Sequence, residues 1–253
     1  MDNTILRAIE SLAVANRILA REGVVDAYGH IAMRHPLDPS RFFLARSLSP
    51  EQVSTADIVE HDLDGQPIGT EPRALYIERF IHAAVFANRP DVMAVVHAHA
   101  EDVLPFTITA MPLVPVIHDA SDLDTPPVWD IDEEFGSNTT LLVSNLDQGR
   151  SLARRLGDKS VVLMRGHGFV AAATSLEIAV RLAITLPRNA RVLTHSMMMG
   201  QFKPLAAGEL AARRGGGPDS LSVTRAWNYW AARSGCRCQS NGEYSVVDTS
   251  GVP

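Results

Sequence analysis

Short, valine-rich runs set between longer amphipathic stretches constrain this chain most. Residues 92–99 (VMAVVHAH) and 160–164 (SVVLM) are apolar and too short for a stable helix, and both read as buried strands. Between such runs the apolar period lengthens. Ile5, Leu6, Ile9, Leu12, Ala13, Ile18 and Leu19 recur at helical spacing, and Gly23 follows as a stop. Helices are also expected over 74–88, 146–156, 175–199 (interrupted near Pro187) and 220–233. Further strands are expected over 24–34, with Gly29-His30 as an interruption, and over 113–117 and 140–143. A hairpin at Asp62-Leu63-Asp64-Gly65 should join 58–61 to 66–68. Strands alternate with helices without repeat or linker, which argues one layered α/β domain with a mixed sheet over residues 1–233. From Ser234 the chain turns polar, and residues 234–253 are expected to form a loose tail.

Chemistry-bearing residues fall at the ends of these elements. His97 and His99 are i and i+2 on a strand, so both rings share a face and can grip one divalent cation. Alone, the pair could equally be a hydrogen-bonded strand end. Glu78 lies 19 residues before His97. From Glu78 to Asn88 is about 15 Å of helix. From Asp91 back to His97 is about 20 Å of strand. The turn at residues 88–91 reverses the chain and returns Glu78 to the level of His97; otherwise Glu78 is a surface partner of Arg79 or His82. His167 sits between Gly166 and Gly168 after a buried strand, in a loop free to aim one side chain. Three imidazoles with an open position make the ligand set of a catalytic metal.

Charge and cysteine usage narrow the function classes. The chain carries 23 basic and 29 acidic residues and no basic run, which argues against a nucleic-acid partner. Its only cysteines, Cys236 and Cys238, form no disulfide framework and are expected as exposed free thiols. The opening lacks the basic and apolar regions of a signal peptide, and no stretch is apolar enough to span a bilayer. A cytoplasmic protein is the expectation.

The segments Tyr28-Gly29-His30-Ile31-Ala32-Met33-Arg34, Glu78 with His82, Arg89-Pro90-Asp91-Val92 through His97-Ala98-His99, and Arg165-Gly166-His167-Gly168 together resemble the class II aldolase/adducin family. The resemblance implies a three-layer α/β/α domain with a central mixed, largely antiparallel sheet. It also implies a homotetramer with active sites near subunit interfaces. By the same resemblance His97, His99 and His167 hold a divalent metal ion, with zinc favoured over manganese, iron or cobalt. Glu78 then matches the acidic residue that ligates the metal or works as acid or base.

The sequence departs from the sugar-phosphate members of that family. Their phosphate is held by a Gly-Asn-x-Ser-type loop and a Ser-Ser pair just before the glutamate. Here the loop reads Gly29-His30-Ile31-Ala32, and Tyr76 and Ile77 precede Glu78. Loss of those hydroxyls disfavours a phosphorylated substrate. Arginines near the motifs (Arg34, Arg46, Arg73, Arg165) suit a carboxylate, and Tyr76, Phe80, Trp129 and the Trp227-Tyr229-Trp230 group could supply flat walls. Individually, Arg34, Arg73, Trp227 and Trp230 read better as structural. Several segments, such as LMRGHGFV and PRNARVL, are similar to a decarboxylase branch acting on dihydroxyphthalate-type or 2-hydroxy-3-carboxy-6-oxo-dienoic acids. The expectation is a metal-dependent decarboxylase of a small carboxylic acid in aromatic catabolism, working through a metal-stabilised enolate. Glu78, its pKa raised by burial, would return the proton, with His30 and His118 as alternatives. An aldolase or epimerase on an unphosphorylated hydroxy-carbonyl compound and a non-catalytic adducin-like module are the rival readings.

Overall fold

The computed structural model describes residues 2–213, 217, 219–239 and 242–246. In chain order the elements are α1 (Asn3–Arg21), β1 (His30–Arg34), β2 (Arg41–Ala45), β3 (Ile58–Asp62), α2 (Arg79–Asn88), β4 (Ala94–Ala98), α3 (Leu104–Ile108), β5 (Val128–Trp129), α4 (Asp132–Phe135), α5 (Leu146–Leu156), β6 (Val161–Met164), β7 (Gly168–Ala173), α6 (Leu176–Met199), α7 (Ala207–Arg213), α8 (Leu221–Arg233), β8 (Arg237–Cys238) and β9 (Tyr244–Ser245). The main sheet runs β3-β2-β1-β4-β7-β6-β5. Every pairing in it is antiparallel except β5 with β6, so the expected mixed, largely antiparallel sheet is present.

Strand alternation splits the core between two faces. Ala94, Val96 and Ala98 of β4 pack with Leu12 and Ile18 of α1 and Ala179, Ala183 and Leu186 of α6. Val95 turns the other way, toward Ile81, Ala84 and Val85 of α2 and Leu152 of α5. The sheet thus lies between two helical layers, α1, α6 and α8 on one side and α2 and α5 on the other, as period-two burial on both faces requires. Among the described residues no helix is long and apolar enough to cross a membrane.

Several element boundaries differ from the sequence expectation for local reasons. The helix expected from residue 74 begins at Arg79, which makes Glu78 its N-cap residue. The expected strand 24–34 keeps only its last five residues, because Gly29 adopts φ +90° and breaks the extended run. Residues 113–117 and 140–143 are not strands. The first run leads into a 3-10 turn at His118–Asp122, and the second contains Leu141 at φ 63°. The turn at 62–65 forms, but its return arm pairs through a single bridge, His61 with Pro67. The 24-residue α6 is continuous, with Pro187 inside it. Strands β2 and β7 went unread in the sequence: β7 (GFVAAA) is enclosed throughout, so no polar alternation marks it. The stretch expected to be a loose tail contains the β8–β9 ladder, and Val246 packs against Ala13, Ala45 and Val53. Cys236 is buried and Cys238 exposed, both as free thiols. Residues 240–241 and 247–253 of that stretch lie outside those described.

Candidate metal centre

The site is built from three strand ends and one helix start. His30 and His97 face each other directly across the β1–β4 ladder, on the side of the sheet that packs α2. His99 follows β4 by one residue and keeps the same face. β7 pairs antiparallel with β4, so the loop before it brings His167 alongside. Gly168 permits this approach: a Cβ there would sit 2.2 Å from the carbonyl oxygen of Ala98. α2 runs back against the sheet and delivers Glu78 at its first turn.

The donor atoms converge. Nε2 of His99 lies 2.9 Å from Nε2 of His97 and 3.0 Å from Nε2 of His167. Oε2 of Glu78 lies 3.3 Å from Nε2 of His97 and 3.6 Å from Nε2 of His167. All four ligand atoms fall within 4.8 Å of one another. A cation bound at about 2.1 Å by two imidazoles separates their nitrogens by about 3.0 Å at a right angle and about 3.4 Å at a tetrahedral one. The observed nitrogen spacings of 2.9 and 3.0 Å lie at the right-angle end of that range.

Backbone groups orient the ligands. Nδ1 of His97 donates to the carbonyl of Phe169 at 3.0 Å, and Nδ1 of His167 donates to the carbonyl of Leu141 at 2.9 Å. Both rings therefore carry their neutral-state proton on Nδ1 and turn a lone pair inward at Nε2, as metal-ligating histidines do. The amide of Val143 donates to Oε1 of Glu78 at 3.0 Å and leaves Oε2 for the centre. Inward lone pairs at 3 Å repel unless a cation or a proton lies between them, so this donor set fits a divalent metal.

Electrostatics correct one expectation. Burial works against the Glu78 charge, but the His97 and His167 imidazoles and the Val143 amide outweigh it and hold the carboxyl at about 2, below the ordinary 4.5. Glu78 is thus a carboxylate at neutral pH, where the sequence reading had burial raising its pKa. Burial and the neighbouring His97 push both His99 and His167 down to about 4, which keeps them neutral and able to ligate.

The remaining candidates separate into those beside the centre and those away from it. His30 is enclosed against it, its ring 5.1 Å from that of His97 and 4.6 Å from that of Tyr76. The Tyr76 hydroxyl donates to the carbonyl of Leu48, and burial raises its pKa to about 12. His118 is exposed at the surface and pairs with Asp119, so this fold does not bring it to the cluster. Trp129 is in the core, not on a wall of the site: it is 4% exposed, and its indole donates to Ser151 at 2.9 Å. Arg46 is bound to Asp57 at 2.8 Å, Arg73 forks onto Glu71 at 2.7 Å, and Arg165 holds Asp130. Arg34 is structural, its buried guanidinium donating to the carbonyls of Pro39, Phe86, Arg89 and Val92. Phe80 lies under the guanidinium of Arg79. Trp230 is packed between α1 and α6, while Tyr229 is exposed. Sequence reasoning missed Leu141, Val143 and Phe169, which act through backbone atoms that leave no mark on residue type. It also left unread the bond between His30 and His82, at 2.6 Å.

Comparison with known proteins agrees with this geometry. Residues 10–194, well over half the chain, match the family described as Class II Aldolase and Adducin N-terminal domain. The chain is 36% identical over 244 residues to the decarboxylase tropJ of Talaromyces stipitatus, covering 84% of this chain and 88% of that protein. It is 30% identical over 249 residues to a 3,4-dihydroxyphthalate decarboxylase of Arthrobacter keyseri, covering 89% and 93%. In fold it is similar to an aldolase II superfamily protein from Pseudomonas syringae, with a TM-score of 0.76, 22% identity and coverage of 92% of this chain and 94% of that one. It is likewise similar to an L-fuculose 1-phosphate aldolase from Glaciozyma antarctica, with a TM-score of 0.69, 23% identity and coverage of 90% and 88%. The chain belongs to the class II aldolase and adducin family, in its decarboxylase-like branch, and is a lyase.

Proposed function

We propose that the protein is a divalent-metal-dependent decarboxylase of a hydroxy-aromatic or ring-opened oxo-dienoic acid. The observation that carries this reading is the convergence of three inward imidazole nitrogens and one ionised carboxylate on a single point. Whole-length similarity to proteins named as decarboxylases supports the choice of reaction. A divalent ion at this point, with zinc the favoured one, would supply Lewis-acid stabilisation of the negative charge that develops beside the substrate's carbonyl or ring oxygen.

The protein's own residues do the rest. His97, His99 and His167 would hold the ion, the rings of His97 and His167 oriented by the carbonyls of Phe169 and Leu141. Glu78 enters as a carboxylate. We assign to it, beside an ion that the three histidines would hold, the transfer of a substrate hydroxyl's proton to the carbon that loses carbon dioxide. Arg165, two residues from His167, holds the departing carboxylate in exchange for Asp130. The aromatic face of Tyr76 and the absence of paired hydroxyls before Glu78 suit a planar, unphosphorylated acid. Assembly as a homotetramer belongs to the same proposal.

Chelation followed by dialysis is expected to abolish carbon dioxide release from a panel of dihydroxyphthalate-type and oxo-dienoic acids. Adding back a divalent ion is expected to restore it, with elemental analysis showing one ion per chain and none in His99→Ala. Full turnover by metal-stripped protein would overturn the reading, and aldehyde release without carbon dioxide would reassign it to an aldolase.

A further inference from the structure

A second pair of histidines stands behind the ligands. His82, in the middle of α2, is fully enclosed, and His30 is 4% exposed. Nε2 of His82 and Nδ1 of His30 are 2.6 Å apart, so one must donate to the other. Two arrangements of neutral rings are possible. If His30 donates, His82 must carry its own proton on Nδ1. That atom is buried with no hydrogen-bond partner among the described residues. A buried N–H without an acceptor is the rarer and costlier defect; a bare ring lone pair among apolar neighbours is better tolerated. The second arrangement avoids the orphaned donor: His82 donates from Nε2, and its Nδ1 is left as the unprotonated atom. His30 must then hold its proton on Nε2. Among the described residues no group accepts from that atom, and it is not among the enclosed unpaired atoms. That atom therefore keeps some access to solvent, on a ring that lies beside those of His97 and Tyr76.

We propose that His82 is a positioning residue which fixes His30 as the Nε2–H tautomer, making it a one-way hydrogen-bond donor to an oxygen of the acid bound next to the metal centre. This inference rests on the reading of the site as one that takes a carboxylic acid. No ring changes its charge in it. One directional N–H suits a carboxylate or phenolate oxygen better than a dianion needing several donors.

The experiment uses the metal-loaded protein labelled with 15N-histidine, with the His30 signals assigned by their loss in His30→Gln. In the unaltered protein at neutral pH His30 is expected to show a protonated-type Nε2 and a bare Nδ1. His82→Phe is expected to shift both signals toward a mixture, and His82→Gln, which can still present an N–H, to preserve them. With phthalate as a calorimetric probe, His82→Phe should bind roughly tenfold more weakly, the scale of one hydrogen bond to a charged group, and His82→Gln within about twofold of the unaltered protein. Metal content should stay the same in all three. A protonated Nδ1 on His30 in the unaltered protein, or undiminished phthalate affinity in His82→Phe, overturns the proposal. Carbon dioxide release by the unaltered protein is measured separately, so a failed decarboxylase reading is told apart from a failed tautomer assignment.

Discussion

At the scale of single residues, the centre is a set of groups held in the protonation state that a metal requires. Burial keeps His99 and His167 neutral, with His61, His82 and His30 pushed down for the same reason. Glu78 is also lowered, in its case against the effect of burial, and so stays ionised. The sign of the pH dependence follows. Each of these five histidines has a folded-state pKa below 6.5, so below that pH the unfolded chain takes up protons first and the native state loses stability. For His99, His167 and His61 the loss spans 6.5 down to about 4. Glu78 contributes stability that is complete above 4.5 and is lost as pH falls through about 2. Both effects destabilise toward acid. Urea unfolding of the metal-free protein is therefore expected to show stability level from pH 8 to 7 and falling steadily from 6.5 to 4. A flat profile across that window would contradict the buried, neutral assignment. His97 and His99 as a same-face pair, His167 between glycines and Glu78 at matching depth were all legible in the sequence, because ligand chemistry resides in side-chain type and spacing. The carbonyls of Leu141 and Phe169 and the amide of Val143 were not, since every residue but proline carries the same backbone groups.

At the scale of elements, the β4–β7 contact controls the site. His97 and His99 sit at the end of one strand and His167 at the start of the other, and Gly168 lies between them against the carbonyl of Ala98. In Gly168→Ala the added methyl must push the strands apart where the ligands meet. Overpacking of this kind costs about 1–3 kcal/mol. The expected outcome is a protein that folds, unfolds at lower urea, and binds metal less tightly than one carrying an equally destabilising change elsewhere in the core. Equal metal affinity in the two would show that the strand spacing does not set the ligand geometry. A second local device precedes His30. Gly29 takes φ +90°, and a side chain there would meet Cγ1 of Val25 at 2.6 Å, so the chain can turn sharply into β1 only with glycine. The sequence marked that interruption but not its consequence, the loss of 24–29 from the strand. β7 was overlooked for the opposite reason: a strand enclosed on both faces has no alternation and reads like the start of the helix that follows.

At the scale of the whole molecule, the candidate metal centre gathers side chains from three parts that the β4–β7 ladder and the packing of α2 on the sheet already hold together. Glu78 belongs to the α2 layer, His97 and His99 to the middle of the sheet, and His167 to the loop entering β7. A ligand that binds only the assembled form stabilises it by mass action, by about 2.7 kcal/mol at a hundredfold excess over its dissociation constant. Adding zinc to the stripped protein is accordingly expected to raise its Tm, with little shift in His99→Ala. The same rise in that variant would place the binding elsewhere.

By itself the sequence determined the class of fold, the ligand types and their approximate level along the chain. These follow from local periodicity and from the reach of helix and strand, which any chain of this pattern must obey. Only the tertiary structure decided which side chains share the site and which are already committed. Trp129 went to the core, Arg34 to four carbonyls, His118 to the surface and His82 to the back of His30. The reason is physical: a side chain's partner is set by which distant segments the sheet order brings within hydrogen-bond range. That order depends on packing both faces of the sheet at once, which no local stretch encodes.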